Sequence, residues 1–528
     1  MGSVGNSKVS LNINSLAMHT FVTGSTGSGK SNTVYEMIRQ LDNLGMNYLV
    51  IEPAKGEYKN VFGMHSDVQV YGTNPQYTDL LRINPFRFSK GIHVLEHIDR
   101  LIEIFNVCWP MYAAMPAVLK DAVLQAYESC GWDLAESKNQ YSEDLFPTFA
   151  DLLNELVIVV ENSAYSEEVK SNYMGSLVTR IKSLTNGLNG QIFSAKEINS
   201  HDLFDKKVIV DISRIGSNET KSLIMGILIM RLSEHRMSTS EEMNIPLHHV
   251  TVLEEAHNIL RRTSVEQNPE GSNVAGKSVE MISNAIAEMR TYGEGFIIAD
   301  QSPSAVDLSA IRNTNTKIIM RLPDEQDRRQ AGKSAGLKDD QLDEIAKLPK
   351  GVAVVYQNDW LEPVLCKIEK FKGEERPYRK SVSGSFLYSG EQKKMLICNL
   401  LKKHTGEVLD RSIGELTDML IEMDIPVHSK IKALKALHTN GTCSLDGISS
   451  VLYELLCDPL TKKEAENVGS IEEWKDVFLY AQDSLLADFD SFHQNKAIEC
   501  ILREEIERNH KPEEYLDIWN EFLKKEVE

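Results

Sequence analysis

"GSTGSGKSNT", residues 24–33, decides how this chain is read. Gly24, Gly29, Lys30 and Ser31 stand in the spacing Gly-x-x-x-x-Gly-Lys-Ser. Glycines in such a turn let backbone N–H groups face phosphate oxygens, and the helix that follows points its positive end at them. The residues ahead, "MHTFVT" (18–23), read as a short buried strand, and 31–42 as the departing helix. That order places Gly24, Ser25, Thr26, Gly27, Ser28, Gly29, Lys30, Ser31 and Asn32 around the phosphates of ATP. Lys30 is expected to reach the β- and γ-phosphates, and the Ser31 hydroxyl to coordinate Mg²⁺. The alternative is a Gly/Ser-rich turn with a lysine nearby.

Outward from the turn, further strands are expected at 47–53, 207–212, 249–255, 295–300 and 317–322, with a closing hairpin over 351–368. Helical stretches separate most of them, which implies an α/β fold with a mostly parallel, doubly covered sheet. Between about 90 and 200 the period is helical: "VLEHIDRLIEIF" (94–105) and "FADLLNELVIVV" (149–160) repeat apolar residues at i, i+3, i+4 and i+7. The expected organisation is a core in two parts, 1–89 and 201–372, a helical insertion over 90–200, a polar linker at 373–385 and a helical domain over 386–528.

Hydrolysis needs a carboxylate for the metal and a base for the attacking water. "HHVTVLEEAHN" (248–258) supplies both at a strand end: Glu254 to hold Mg²⁺ through water, Glu255 to polarise the nucleophilic water. Two solvated glutamates closing a strand are the alternative. His257 and Asn258 could order this site, or His257 could be structural. The strand ending in "IIADQSPS" puts Gln301 at its carboxyl edge, either as a link between γ-phosphate and water or as a strand cap. Arg290, in "AEMRTYGEG", could stabilise transition-state charge in a neighbouring subunit or satisfy carbonyls at a helix end. "EPAKGEY" (52–58) reads as a turn with Tyr58 packed beneath it; the alternative gives Glu52 or Glu57 a part in holding water or metal.

The net charge of −20 over 528 residues argues against a protein coated in nucleic acid. It is uneven: from residue 385 onward 17 Lys and Arg face 28 Asp and Glu, a balance of −11. That acidic end suits protein docking and leaves room for a narrow basic channel elsewhere. No apolar run approaches the 18 or so residues of a membrane span, and "LIMGILIM" (223–230) is far too short. The seven cysteines are scattered and never spaced as CxxC, which argues for a cytoplasmic setting and against a zinc site.

Eight stretches together resemble the HerA/FtsK superfamily of ring ATPases, in its HerA-like branch: "TGSTGSGKSNT", "VIEPAKGEY", "RINPF", "VIVDIS", "VLEEAHN", "AEMRTYGEG", "IIADQSPS" and "NTNTKIIMRL". They occur in the family's order over about residues 15–370. The resemblance implies a RecA-like core with a helical insertion, homo-hexameric rings with ATP between subunits, and translocation of double-stranded DNA. It also implies a nuclease or other effector as partner, in end processing or phage defence. Carried over by motif, Lys30 and Ser31 are phosphate and metal ligands, Glu254 and Glu255 the acidic pair, Gln301 the sensor and Arg290 the arginine finger, with Arg312 or Arg321 in reserve. Glu254 stands where an aspartate is usual. Only 23 residues precede Gly24, where family members usually carry a small β-barrel: either the sequence is truncated there or partners are recruited without that barrel, which leaves a nuclease contact through a barrel in doubt.

A ring motor grips the phosphate backbone through a few positive groups on channel loops. "RRTSVEQNPEGSNVAGK" (261–277) and "DRRQAGKSAGLK" (327–338) are the basic candidates, against the plainer reading of solvated faces. The alternatives to a DNA motor are an ATP-gated hexameric scaffold that activates an effector and a protein-secretion-type motor.

Overall fold

The computed structural model describes residues 1–5, 7–112, 114–263, 274–380, 390–466 and 486–527, together with 468, 470, 471, 473, 474 and 477. In chain order its strands are β1 (Gly2–Val4), β2 (Ser7–Val9), β3 (Thr20–Thr23), β4 (Asn47–Glu52), β5 (Val68–Gly72), β6 (Asp79–Leu80), β7 (Trp132–Asp133), β8 (Lys138–Asn139), β9 (Lys207–Asp211), β10 (His249–Glu254), β11 (Glu294–Asp300), β12 (Thr316–Ile319), β13 (Val352–Gln357) and β14 (Val364–Ile368). Twelve of them form one sheet in the order β2-β1-β14-β13-β12-β3-β11-β10-β4-β9-β5-β6. From β12 to β6 every neighbouring pair is parallel. From β12 to β2 the pairing is antiparallel, beginning with the hairpin expected over 351–368.

The central parallel strands are rich in apolar residues because both faces are covered; every residue of β3, β10 and β11 is buried, the threonines and His249 included. One cover is the 14-residue helix Lys30–Asn43, whose Val34, Met37, Ile38 and Leu41 face the core. Another is the 22-residue helix Asn218–Thr239, started by Ser217, whose side chain accepts from the Thr220 backbone N–H. It contains the "LIMGILIM" run, which is buried in the protein rather than in lipid. Gly226 marks its close crossing with helix Val94–Cys108: a Cβ there would stand 2.7 Å from Ile104 Cγ2. Among the described residues no helix is long and apolar enough to cross a membrane.

The chain divides into two compact units. One comprises 1–121, 163–193 and 197–382 and contains the large sheet; the other comprises 122–162, 194–196 and 383–528. In the second unit the β7–β8 hairpin is held by Trp132 Nε1 donating to the Leu145 carbonyl at 2.8 Å. Asp151, near the start of helix Phe149–Asn162, accepts from the Val427 backbone N–H at 2.9 Å and so joins that helix to the C-terminal helices. The buried Lys430 ammonium donates to the Ile421 carbonyl at 2.7 Å, and Tyr453 Oη to Glu505 at 2.6 Å. All seven cysteines are free thiols.

Candidate nucleotide site

β3 ends at Thr23 and the helix begins at Lys30, so residues 24–29 turn between them at the carboxyl edge of the sheet. Gly27 (φ +78°) and Gly29 (φ +110°) adopt backbone that other residues rarely accept. Gly24 is needed for space: a Cβ would lie 2.5 Å from Ser28 Oγ and 2.7 Å from Met320 Cβ. The turn is pinned from both sides. Ser25 N and Oγ both donate to the Arg321 carbonyl, at 2.9 and 3.0 Å, and the Ser28 carbonyl accepts from Gly351 N at 2.9 Å. Met320 lies beneath, its sulfur 3.6 Å from Thr33 Oγ1. Asn32 turns its side chain to the segment after β14, donating to the Glu369 carbonyl and accepting from Phe371 N.

Two adjacent strands, β10 and β11, deliver the other groups to this edge. Glu254 closes β10, Glu255 follows it, and Gln301 follows β11. Lys30 is 7% exposed, and its Nζ is 2.6 Å from Glu254 Oε2 and 3.7 Å from Glu255 Oε1. Burial alone would lower the Lys30 pKa, but the two carboxylates outweigh it and raise it above the usual lysine range. Thr26 Oγ1 donates to Gln301 Oε1 at 2.7 Å, and Gln301 Nε2 donates to Glu255 Oε1 at 2.6 Å. One amide therefore joins the glycine turn to the second acidic residue. Glu255 has φ +45° and ψ +54°, a left-handed conformation that a glutamate holds only when its surroundings enforce it. Its carbonyl accepts from Asn258 N and Nδ2, at 3.0 and 2.8 Å.

Asp300, which closes β11, is fully buried and accepts from His257 N and Nδ1, both at 2.9 Å. That hydrogen bond raises the His257 pKa above the usual histidine value. "EPAKGEY" is a turn, as expected: Glu52 accepts from Glu57 N at 2.7 Å and Tyr58 N at 3.2 Å. Burial pushes the Glu52 carboxyl up to about 8, with Asp211 and Glu254 adding to the shift. Tyr58 lies buried beneath the turn and its hydroxyl donates to Glu254 Oε1 at 2.5 Å.

Arg290 stands elsewhere in its own chain. It is exposed in the turn Met289–Tyr292 before β11, whereas Gln301 follows β11. The seven residues of β11 separate the two by roughly 20 Å or more. Arg290 and Arg312 line one surface pocket of about 540 Å³ at that opposite edge. Arg321 instead offers its carbonyl to Ser25 beside the glycine turn. Of the basic stretches, residues 264–273 lie outside the described residues; Arg262 N is bound to the Ala305 carbonyl. In the other stretch Arg328, Arg329 and Lys333 face Asp343, Glu325 and Asp339; Arg329 and Lys333 are solvated, whereas Arg328 is largely enclosed.

Residues 1–232 match the family model of the HerA helicase central domain. The DNA double-strand break repair helicase HerA of Sulfolobus acidocaldarius is 23% identical over 378 residues, covering 70% of this chain and 68% of that protein. Its namesake from Pyrococcus furiosus is 24% identical over 453 residues, covering 77% and 75%. Among solved structures, the unbound bacterial conjugative coupling protein TrwB aligns with a TM-score of 0.49 at 12% identity, over 70% of this chain and 88% of that one. The glycine turn, the acidic strand end and the strand that precedes Gln301 stand side by side in a parallel sheet, in a chain whose residues 1–232 are similar to the HerA helicase central domain and which is similar over about 70% of its length to HerA helicases.

Proposed function

We propose that this chain is an ATP-hydrolysing ring motor that translocates on double-stranded DNA, as a homo-hexamer in the cytoplasm. We assign it a nuclease or other effector as partner, in anti-phage defence or DNA end processing. The observation that carries the reading is the Thr26–Gln301–Glu255 chain of hydrogen bonds, which joins the phosphate turn to the base. Gly24 to Ser31 cradle the triphosphate, and Lys30 exchanges its carboxylate partners for phosphate oxygens. Glu255 accepts the proton of the attacking water, and Gln301 reports its state to Thr26. One ammonium against two carboxylates leaves surplus negative charge, a donor set that suits a hard divalent cation. Mg²⁺, held by Ser31 and through water by Glu254, would neutralise charge on the phosphates. Arg290, at the opposite edge, serves the site of the next copy around the ring. The DNA assignment is supported by the helicase relatives and by Arg261, Arg262 and Lys277, which flank the stretch expected to reach a channel.

The test is the ATPase rate with and without linear duplex DNA, at two salt concentrations, beside the solution mass. Stimulation that falls steeply with salt, on a hexamer, is the expected result. Turnover indifferent to DNA, with ATP needed for assembly, would favour a scaffold that activates an effector. Failure to hydrolyse under either condition would end the motor reading.

A further inference from the structure

Asp300 is fully buried at the end of β11, beside the site, and the roles assigned so far do not use it. Both its oxygens are engaged. Oδ1 accepts from Ser302 N at 2.9 Å, while Oδ2 accepts from the backbone N and the Nδ1 of His257. His257 belongs to the one-turn segment Ala256–Asn258, which is entered through the left-handed Glu255. A left-handed glutamate costs roughly 1–2 kcal/mol, so something must hold it there. Asn258 does so through the Glu255 carbonyl, and Asp300 does so through the backbone N and the Nδ1 of His257, two places on. The Glu255 side chain is bracketed in turn. Its Oε1 takes the Gln301 amide at 2.6 Å, and its Oε2 lies 3.7 Å from His257 Nδ1.

We propose that Asp300 is a positioning residue for hydrolysis: acting through His257, it holds the left-handed backbone of Glu255 and so aims that carboxylate at the attacking water. The inference rests on the assignment of Glu255 as the base. Asp300 is too enclosed to meet substrate, and its three hydrogen bonds all go to backbone or imidazole of its own chain. The effect belongs to the chemical step. Lys30 and the glycine turn, assigned to phosphate, share no hydrogen bond with Asp300 or His257 among the described residues, and the Asp300 charge reaches Lys30 only through space, behind burial and the two glutamates.

The experiment compares wild type, Asp300→Asn, His257→Ala and the double variant in steady-state Mg²⁺-ATP hydrolysis. Affinity for a fluorescent ATP analogue and the thermal midpoint are read on each. Asparagine keeps the shape of Asp300 and one accepting oxygen, so folding and nucleotide binding should survive. Each single variant should lose about 10-fold or more in kcat, with KM and analogue affinity within about twofold. The double variant should be no slower than the slower single one, because both act along one path. Should Asp300→Asn unfold, His257→Asn, which leaves Asp300 its backbone partners, should give the same loss confined to kcat. Unchanged kcat, a loss carried by KM, or losses that multiply in the double variant would overturn the proposal. Glu255→Gln is run alongside. If it is inactive while Asp300→Asn is normal, only the positioning role fails; if it turns over like wild type, the base assignment fails and the inference falls with it.

Discussion

At the scale of single residues, the different surroundings of the two adjacent glutamates support the different roles proposed for them. Glu254 is tied on one oxygen to Lys30 and on the other to Tyr58, which suits a fixed group that orients a metal-bound water. Glu255 keeps Oε2 free of a close donor, which suits a proton acceptor. Glu255→Gln should therefore bind ATP normally and lose about 10²–10⁴-fold in turnover, the range of a general base. Glu254→Gln should lose activity in a way that raised Mg²⁺ partly restores. ATPase rates across a Mg²⁺ series decide it, and an exchange of the two behaviours would reverse the assignment. Glu52 gives a pH signature. Its carboxyl is raised to about 8 in the fold, against about 4.5 unfolded, so the folded chain holds a proton that the unfolded chain releases across that window. Stability from this group is present below the lower value and is lost as pH rises, by up to about 1.4 kcal/mol per unit. Glu52→Gln escapes the loss. Its thermal midpoint should gain on wild type between pH 5.5 and 7.5, and a constant gap would show that Glu52 is already ionised.

At the scale of elements, the glycine turn works because its backbone is unusual and its neighbours fix it. Gly29→Ala meets both a φ of +110° and Met320 Cε at 3.0 Å, and should cost about 1–3 kcal/mol together with much of the ATP affinity. Gly45→Ala, at φ +75° with nothing nearby, should cost about 1 kcal/mol and leave ATP binding alone. Denaturant midpoints and nucleotide titrations separate the two. Much of this region was readable in the sequence, because each central strand is an apolar run that ends in a chemical group. β1, β2, β5 and β6 were not readable: they lie at or near the sheet margins and carry few buried apolar residues, and β1, β2 and β6 are only two or three residues long. Asp300 sat unused in "IIADQSPS" because a buried carboxylate becomes visible only once its partner, 43 residues earlier, is brought beside it. The link from Tyr58 to Glu254 needed the same long-range closure, β4 beside β10. The "LIMGILIM" run reads as too short for a membrane span, and packing explains its apolar character, since the helix that carries it is enclosed along most of its length.

At the scale of the whole molecule, the sheet has two working edges. Lys30, Glu255 and Gln301 occupy the carboxyl edge, while Arg290 and Arg312 share a pocket at the opposite one. A strand's length separates them, so the proposed role of Arg290 requires the site of another copy. The measurement that tests this most directly mixes two inactive variants. Lys30→Ala still offers its Arg290, and Arg290→Ala still offers its glycine turn. Arg290→Ala alone should bind nucleotide nearly normally and lose at least about 10³-fold in turnover, the scale of arginine fingers. Mixed with exchange allowed, the two variants should form rings in which some interfaces carry both intact parts, and duplex-stimulated ATP hydrolysis should partly return. Mixed rings confirmed by native mass, yet with no recovery at any ratio, would contradict the composite site.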